Sequence, residues 1–177
     1  MATYVSMLRG INVGGKRKIM MEDLKDLYQS LDFKDVKTYI QSGNVVFQFN
    51  GSTSLELTKI IESEIKEIFG IDLIVFIRAK NEFEKIIQNN PLKNEDINKL
   101  YITFLSEYPS EIPFIEIEKI KDNSEKFSIN TKEIYLFCPN GYGRTKLSNN
   151  FFEKKLKVFA TTRNWKTVNK LFDLAKS

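Results

Sequence analysis

Histidine is absent from this 177-residue chain, and cysteine occurs once, as Cys138. Without imidazole there are no Ser-His or Cys-His nucleophile pairs, no imidazole acid-base catalyst, and no all-histidine or mixed Cys/His metal site. A single thiol forms no internal disulfide. Cys138 lies in the apolar run "EIYLFC" with no basic neighbour in sequence, which suits a core filler better than a nucleophile, since apolar burial raises a thiol pKa. Long hydrophobic runs are also missing. The longest purely aliphatic and aromatic stretch, residues 73–77, is far short of the roughly 18 residues that a membrane span needs. The opening "MATYVSMLRG" has no basic-then-apolar targeting pattern, so a cytoplasmic location and no membrane partner are expected.

Acidic residues are missing from particular places. None occurs in residues 1–18, 36–55, 134–152 or 154–172, although each stretch carries Lys or Arg. Such segments cannot build a carboxylate metal site or a two-carboxylate acid-base pair from their own residues, so no metal and no cofactor is expected. The net charge is +4. Residues 1–18 hold Arg9, Lys16, Arg17 and Lys18 with no acid, and residues 141–177 hold nine basic residues against Glu153 and Asp173. The two ends are basic and the middle is acidic. The basic ends suit either a face for phosphate or nucleic acid, or a solvated Lys-rich C-terminal helix.

What is present reads as an ordinary globular composition, 42% hydrophobic and 28% charged, able to bury a core. "TYVSML" predicts a buried strand, and Met20, Leu24, Leu27 and Leu31 recur at helical spacing after a glycine-rich loop. "VKTYI" and "NVVFQF", separated by "QSG", predict a hairpin. "TSLELTKIIESEIKEIFG" opens with Thr53 and Glu56 spaced as a capping box and stops at Gly70, and "DLIVFI" follows as a strand. The order β-α-β-β-α-β over residues 3–78 is the split βαβ pattern of a ferredoxin-like domain.

The second half is expected to repeat this order. A short helix at residues 81–88, with Asn81 and Glu84 spaced as a cap, leads through "NNPLKNED" to a strand "KLYITFL". Residues 110–120 are ambiguous: Pro113 suits a first helical turn, whereas the Ile115/Ile117 alternation suits a strand. We take them as helix. "EKFSI" and "EIYLFC" form a hairpin about residues 130–131, "LSNNFFEKKL" is helical with Ser148 as its cap, "KVFATT" is a strand, and "RNWKTVNKLFDLAK" is a final helix capped by Thr161 or Thr162. The fold class expected is therefore α+β: two tandem ferredoxin-like (βαββαβ) halves, residues 1–80 and 81–177, packed together around residues 79–95, with an extra C-terminal helix.

Six of the eight glycines fall in three polar, basic loops, "RGINVGGKRK", "QSGN" and "NGYGRTK". Plain turns are the commonest use of glycine, but acid-free glycine loops also let backbone amides approach an anion. The first loop spells most of a P-loop, G-x-x-x-x-G-K, but places Arg17 where Ser or Thr must hold magnesium, and a hairpin downstream does not suit a parallel sheet. We read no NTPase there, and the spacing also fails the dinucleotide pattern. Arg9, Arg144 and Arg163 are guanidiniums able to fork onto phosphate or carboxylate, and Lys16 and Lys146 are point charges. Trp165, at helical spacing with Val168 and Phe172, reads as core. Tyr39 and Phe47 could stack a base, but the RNP aromatic motif is missing.

"LRGINVGGKRKIMMEDLKDLYQSLDFKDVKTYIQSGNVVF", "PNGYGRTKL" and "ATTRNWKTVNKL" resemble, in order, the signature segments of a bacterial family, domain of unknown function 1697. The resemblance implies two ferredoxin-like halves and leaves activity open. It carries over, by position, Arg9, Gly10, Asn12, Gly14, Gly15, Lys16, Tyr39, Gln41, Ser42, Gly43, Asn44, Gly143, Arg144, Lys146, Leu147, Thr162, Arg163, Asn164 and Trp165. Related sequences often carry Ser where Thr145 stands and Asn where Lys166 stands, which weakens those two positions as site residues. The leading functional expectation is a binding protein for an anionic small molecule or a nucleic acid. Its ligand residues would be Arg9, Asn12, Gly14, Gly15, Lys16, Tyr39, Gln41, Ser42, Asn44, Arg144, Lys146, Arg163 and Asn164, held between the halves. Two alternatives stay open: a metal-independent transferase or lyase acting on a phosphorylated or carboxylated substrate, and a homo-oligomeric or partner-docking module. In the enzyme alternative Tyr39 or Lys16 would move the proton, but the residues single out no reaction and no oligomeric state.

Overall fold

The computed structural model describes residues 1–177. Its chain contacts form two units, one of residues 1–85 with 170–177 and one of residues 86–169. The last eight residues thus group with the first unit, although a boundary after residue 80 assigns them to the second half.

In the first unit the strands are β1 (Ala2–Leu8), β2 (Lys34–Tyr39), β3 (Asn44–Phe49) and β4 (Val75–Ala79), with helices α1 (Met21–Ser30) and α2 (Ser54–Phe69) between them. The sheet runs β2-β3-β1-β4, and every neighbouring pair is antiparallel. That order is the ferredoxin-like one. Alternation in β1 sends Tyr4 and Leu8 toward the helices, where they meet Val45 and Phe47 of β3, Leu24 and Leu27 of α1, and Leu57, Ile61 and Ile65 of α2. Each helix buries one three- and four-spaced stripe, which is why the spacing predicted both. Thr53 and Glu56 make the full capping box, and Gly70 ends α2 in the left-handed conformation. Inside this layer Ser6 Oγ and Tyr28 Oη share a hydrogen bond of 2.7 Å. Burial pushes the Tyr28 hydroxyl well above its ordinary pKa, so it stays a neutral hydrogen-bonding group.

Phe47 is the hub of this core. Its ring lies 4.5 Å from Phe33, 5.4 Å from Tyr28 and 5.6 Å from Tyr4, and it is fully buried. It is therefore not a platform for a base, because the face of β3 that carries it is the one α1 and α2 cover.

In the second unit, β5 (Leu100–Leu105), β6 (Lys126–Asn130), β7 (Glu133–Phe137) and β8 (Ala160–Asn164) make an antiparallel sheet in the order β6-β7-β5-β8. Residues 110–120 do contain a helix, α4 (Phe114–Ile120), which follows Pro113. α5 (Asn149–Leu156) is capped as expected, with Ser148 Oγ accepting from Phe151 N at 3.2 Å. Two caps differ. In α3 (Lys80–Gln88) Glu82 reaches back, accepting from Ala79 N at 2.7 Å. For α6 (Trp165–Lys176), β8 continues through Asn164, whose Oδ1 accepts from Thr167 N at 2.8 Å, so Thr161 and Thr162 are strand residues and not caps.

The two sheets match in register as well as in order. "YVSML" of β1 and "YITFL" of β5 occupy the same strand, with Val5 opposite Arg78 and Val46 in one sheet and Ile102 opposite Arg163 and Tyr135 in the other. Both arginines are buried. The repetition is thus one of individual positions, including an interior arginine on each last strand.

Candidate functional site

Two of the three glycine loops come together in the first unit. The β1–α1 loop, residues 9–20, and the β2–β3 turn, residues 40–43, are fastened by one side chain: Asn12 Nδ2 donates to Gln41 O at 2.8 Å and to Ile19 O at 2.9 Å. Asn12 Oδ1 in turn accepts from Ile19 N at 2.9 Å. Below this clamp Leu8 N donates to Gly43 O at 2.8 Å. Asn44, fully buried, donates to Tyr39 O at 3.0 Å and Ser42 Oγ at 2.9 Å, closing the turn from inside. Asn12 and Asn44 are thus fasteners, and Tyr39, Gln41 and Ser42 supply the acceptors they hold.

The backbone of these loops is unusual. Of fourteen residues with positive φ in the chain, seven lie here: Gly10, Asn12, Gly14, Gly15, Arg17, Ile40 and Gly43. Ile40, at φ +51°, is the most telling, since a β-branched side chain in the left-handed region is strained by roughly 1–2 kcal/mol. Backbone alternating between hands turns successive N–H groups toward one side, a concave arrangement that suits anions. The amides of Gly14 and Gly15, at the exposed tip, donate to no protein acceptor. Around them Lys16, Arg17 and Lys18 are exposed and Arg9 is half-buried, while Arg17 also bonds the Asp72 carbonyl. Val13, Met20 and Ile40 are exposed beside them.

The third loop belongs to the second unit. Tyr142–Arg144 form a short 3-10 turn in which Tyr142 Oη donates to Thr162 Oγ1 at 3.1 Å, and Thr162 Oγ1 donates to Asn149 Oδ1 at 2.6 Å. This hydroxyl relay, continued to Thr103 at 2.7 Å, pins the loop to β8 and β5. Arg144 and Lys146 are exposed, line a cavity beside the loop, and have no ion-pair partner. Thr145 Oγ1 is occupied by Leu147 N at 3.1 Å.

Arg163 stands apart from the exposed cations. Its guanidinium is buried and donates to Thr161 Oγ1 at 2.9 Å and Thr162 O at 3.0 Å, and desolvation pulls its pKa down to about 10. Asn164, capping α6, is engaged as well. Arg17, noted in the sequence only as a charge and as the departure from a P-loop, and Ile40, Lys119 and Lys121 were not among the expected ligand residues. The strain at Ile40 leaves no sequence signal, while Arg17 could have been found as the acid-free continuation of Lys16. No group of His, Cys, Asp and Glu able to hold a metal ion occurs, and no helix is long and apolar enough to cross a membrane.

The sequence model of a family described as "Protein of unknown function (DUF1697)" matches residues 1–135. The chain belongs to that family. The DUF1697 match covers the first unit's loops and the sheet of the second unit up to β7. Among solved structures, conserved bacterial protein SP0830 from Streptococcus pneumoniae is similar over 98% of both chains, with a TM-score of 0.73 and 24% identity. At that identity the likeness speaks to the fold, which is the α+β pair of ferredoxin-like sheets described above. No curated protein matches.

Proposed function

We propose that this protein binds an anionic ligand, a nucleotide, a phosphorylated metabolite or a nucleic-acid backbone, at the two fastened loops of its first unit. The observation that carries this reading is the concentration of left-handed backbone, seven of fourteen residues, in loops whose own side chains include no carboxylate. Strain of that kind persists only where the surroundings enforce it, and here the Asn12 clamp enforces it. The amides of Gly14 and Gly15 would meet the anion, Lys16 and Arg9 would supply charge, and no proton-transferring pair is required.

The experiment is a thermal-shift series at low salt with ATP, glucose 6-phosphate, citrate and a short oligonucleotide, because a ligand that binds only the folded state raises the apparent stability, by about 2.7 kcal/mol at a hundredfold excess over Kd. At least one anion should raise the melting temperature of the native chain, and Lys16→Ala with Lys18→Ala should lose most of that rise. An oligonucleotide response should also fall steeply with added salt. No response to any of the four, or one that the double variant leaves intact, rejects the assignment to these loops.

A further inference from the structure

We propose that the second unit carries a separate site for a small phosphorylated polyol, where the end of α4 meets the loop before α5. The site is a cavity of about 330 Å³ whose charged lining is Lys119, Lys121, Arg144 and Lys146 with Asp122 and Glu125. Four cations face two carboxylates, so the cavity is electropositive.

Local structure explains how it is built. α4 ends at Ile120, and Lys121 leaves it in extended backbone, φ −62° and ψ 150°, so Lys119 and Lys121 flank the break. The next turn is closed on itself: Glu125 N donates to Asp122 O at 3.0 Å, Asp122 N donates to Glu125 Oε1 at 2.9 Å, and Ser124 N donates to Asp122 Oδ1 at 2.9 Å. Across the cavity, the Arg144 loop is held by Gly141 N donating to Cys138 O at 3.0 Å and by the Tyr142 relay. Glu125 and Thr145 both lie against the Cys138 thiol, which joins the two rims. The cavity is therefore framed by elements already fixed in place.

Its chemistry selects among anions. Arg144 offers a planar fork for a phosphate, with Lys146 and Lys119 as flanking point charges, and none of the three has a carboxylate within ion-pair distance. Lys121 is the exception, paired with Glu118 at 3.5 Å. Asp122 uses Oδ1 for its turn and keeps Oδ2 open as an acceptor, suited to a ligand hydroxyl. The only apolar wall is Ile120, and no aromatic ring lines the cavity, so a base would find nothing to stack on. The volume lies at the small end of ligand sites, which run from roughly 300 Å³ upward. A sugar or polyol phosphate meets these conditions; a nucleotide or a polymer does not. This site does not depend on the loops of the first unit.

The test is an amide chemical-shift titration of the full chain at low salt with glucose 6-phosphate, inorganic phosphate, AMP and glucose. Glucose 6-phosphate should give saturable shifts at residues 119–125 and 141–147, inorganic phosphate weaker ones, and glucose none. Arg144→Ala with Lys146→Ala should weaken glucose 6-phosphate about tenfold or more, which corresponds to the loss of one or two charge-assisted bonds. Asp122→Asn should weaken the sugar phosphate but not inorganic phosphate. Equal binding of the two phosphates, tighter binding of AMP, or the absence of saturable shifts at these residues would overturn the proposal. Shifts confined to residues 9–19 and 40–44 would also overturn it while upholding the reading of the first unit.

Discussion

Replacing Gly43 by alanine should be the most damaging small change in the basic loops, and the structure supplies the size of the effect. Gly43 has φ +80°, and a Cβ there would sit 2.7 Å from Ile11 Cδ1 and 3.0 Å from Leu8 Cβ. The left-handed conformation alone costs an alanine about 1–2 kcal/mol. Overpacking a closed interior adds about 1–3 kcal/mol, giving roughly 2–5 kcal/mol in all. At this chain length each kcal/mol moves the melting temperature by about 2–4 °C, so Gly43→Ala should melt roughly 4–20 °C lower. Gly14 provides the control: φ is +58° but nothing lies within 4 Å of its added Cβ, so Gly14→Ala should show the conformational cost alone, about 1–2 kcal/mol. Gly143, at ordinary φ and in open space, should be neutral or slightly stabilised by alanine, by about 0.4–1 kcal/mol. Far-UV circular dichroism melts of the three variants give the ranking. Ile11→Val, which deletes the clashing methyl, should recover part of the loss when combined with Gly43→Ala, and a double-mutant cycle measures that coupling. A Gly43→Ala variant no less stable than Gly14→Ala, or a cycle with no coupling, would refute the reasoning.

Two further outcomes follow from buried ionisable groups. Glu62 accepts from Val75 N at 2.9 Å, but partial burial raises its pKa, the desolvation outweighing that bond. A carboxyl raised on folding contributes stability that is complete below its ordinary pKa and lost as the pH climbs past its folded value. Glu62→Gln, which keeps the acceptor, should therefore match the native chain near pH 4 and exceed it at pH 7; a melting difference that does not change between these pH values would contradict this. Cys138 is fully buried, and desolvation, with Glu125 nearby, pushes its thiol up to about 12. It should resist a thiol-specific disulfide reagent at pH 8 in the native state and react stoichiometrically in guanidinium, and rapid native labelling would count against the described packing.

Local patterns were legible in the sequence, and long-range juxtapositions were not. The Thr53–Glu56 box and the Gly70 stop lie within one turn of the helix they bound, and the period-2 and period-3.6 stripes are set by which side chains must leave water. Phe47 was harder, because alternation says that residues 45 and 47 share a face but not which face the helices cover. The continuation of β8 through Arg163 and Asn164 was hidden by their polarity: pairing with β5 decides it, and a buried arginine satisfied by Thr161 and the Thr162 carbonyl has no local signature. Asn12 stood out as a loop residue, yet its work as a clamp depends on a turn 29 positions away. The cavity beside Arg144 joins residues more than twenty positions apart, and its lysines, read along the chain, are only the charged end of a short helix.

Ile40 has a consequence for engineering. Glycine or asparagine would occupy its left-handed backbone with less strain, and neither would leave a large apolar side chain 46% exposed. The chain therefore gives up resilience at one spot, and thermostabilising redesign would choose that spot first. Such a redesign would also soften the rim beside Lys16, trading a stiffer protein for a less defined mouth.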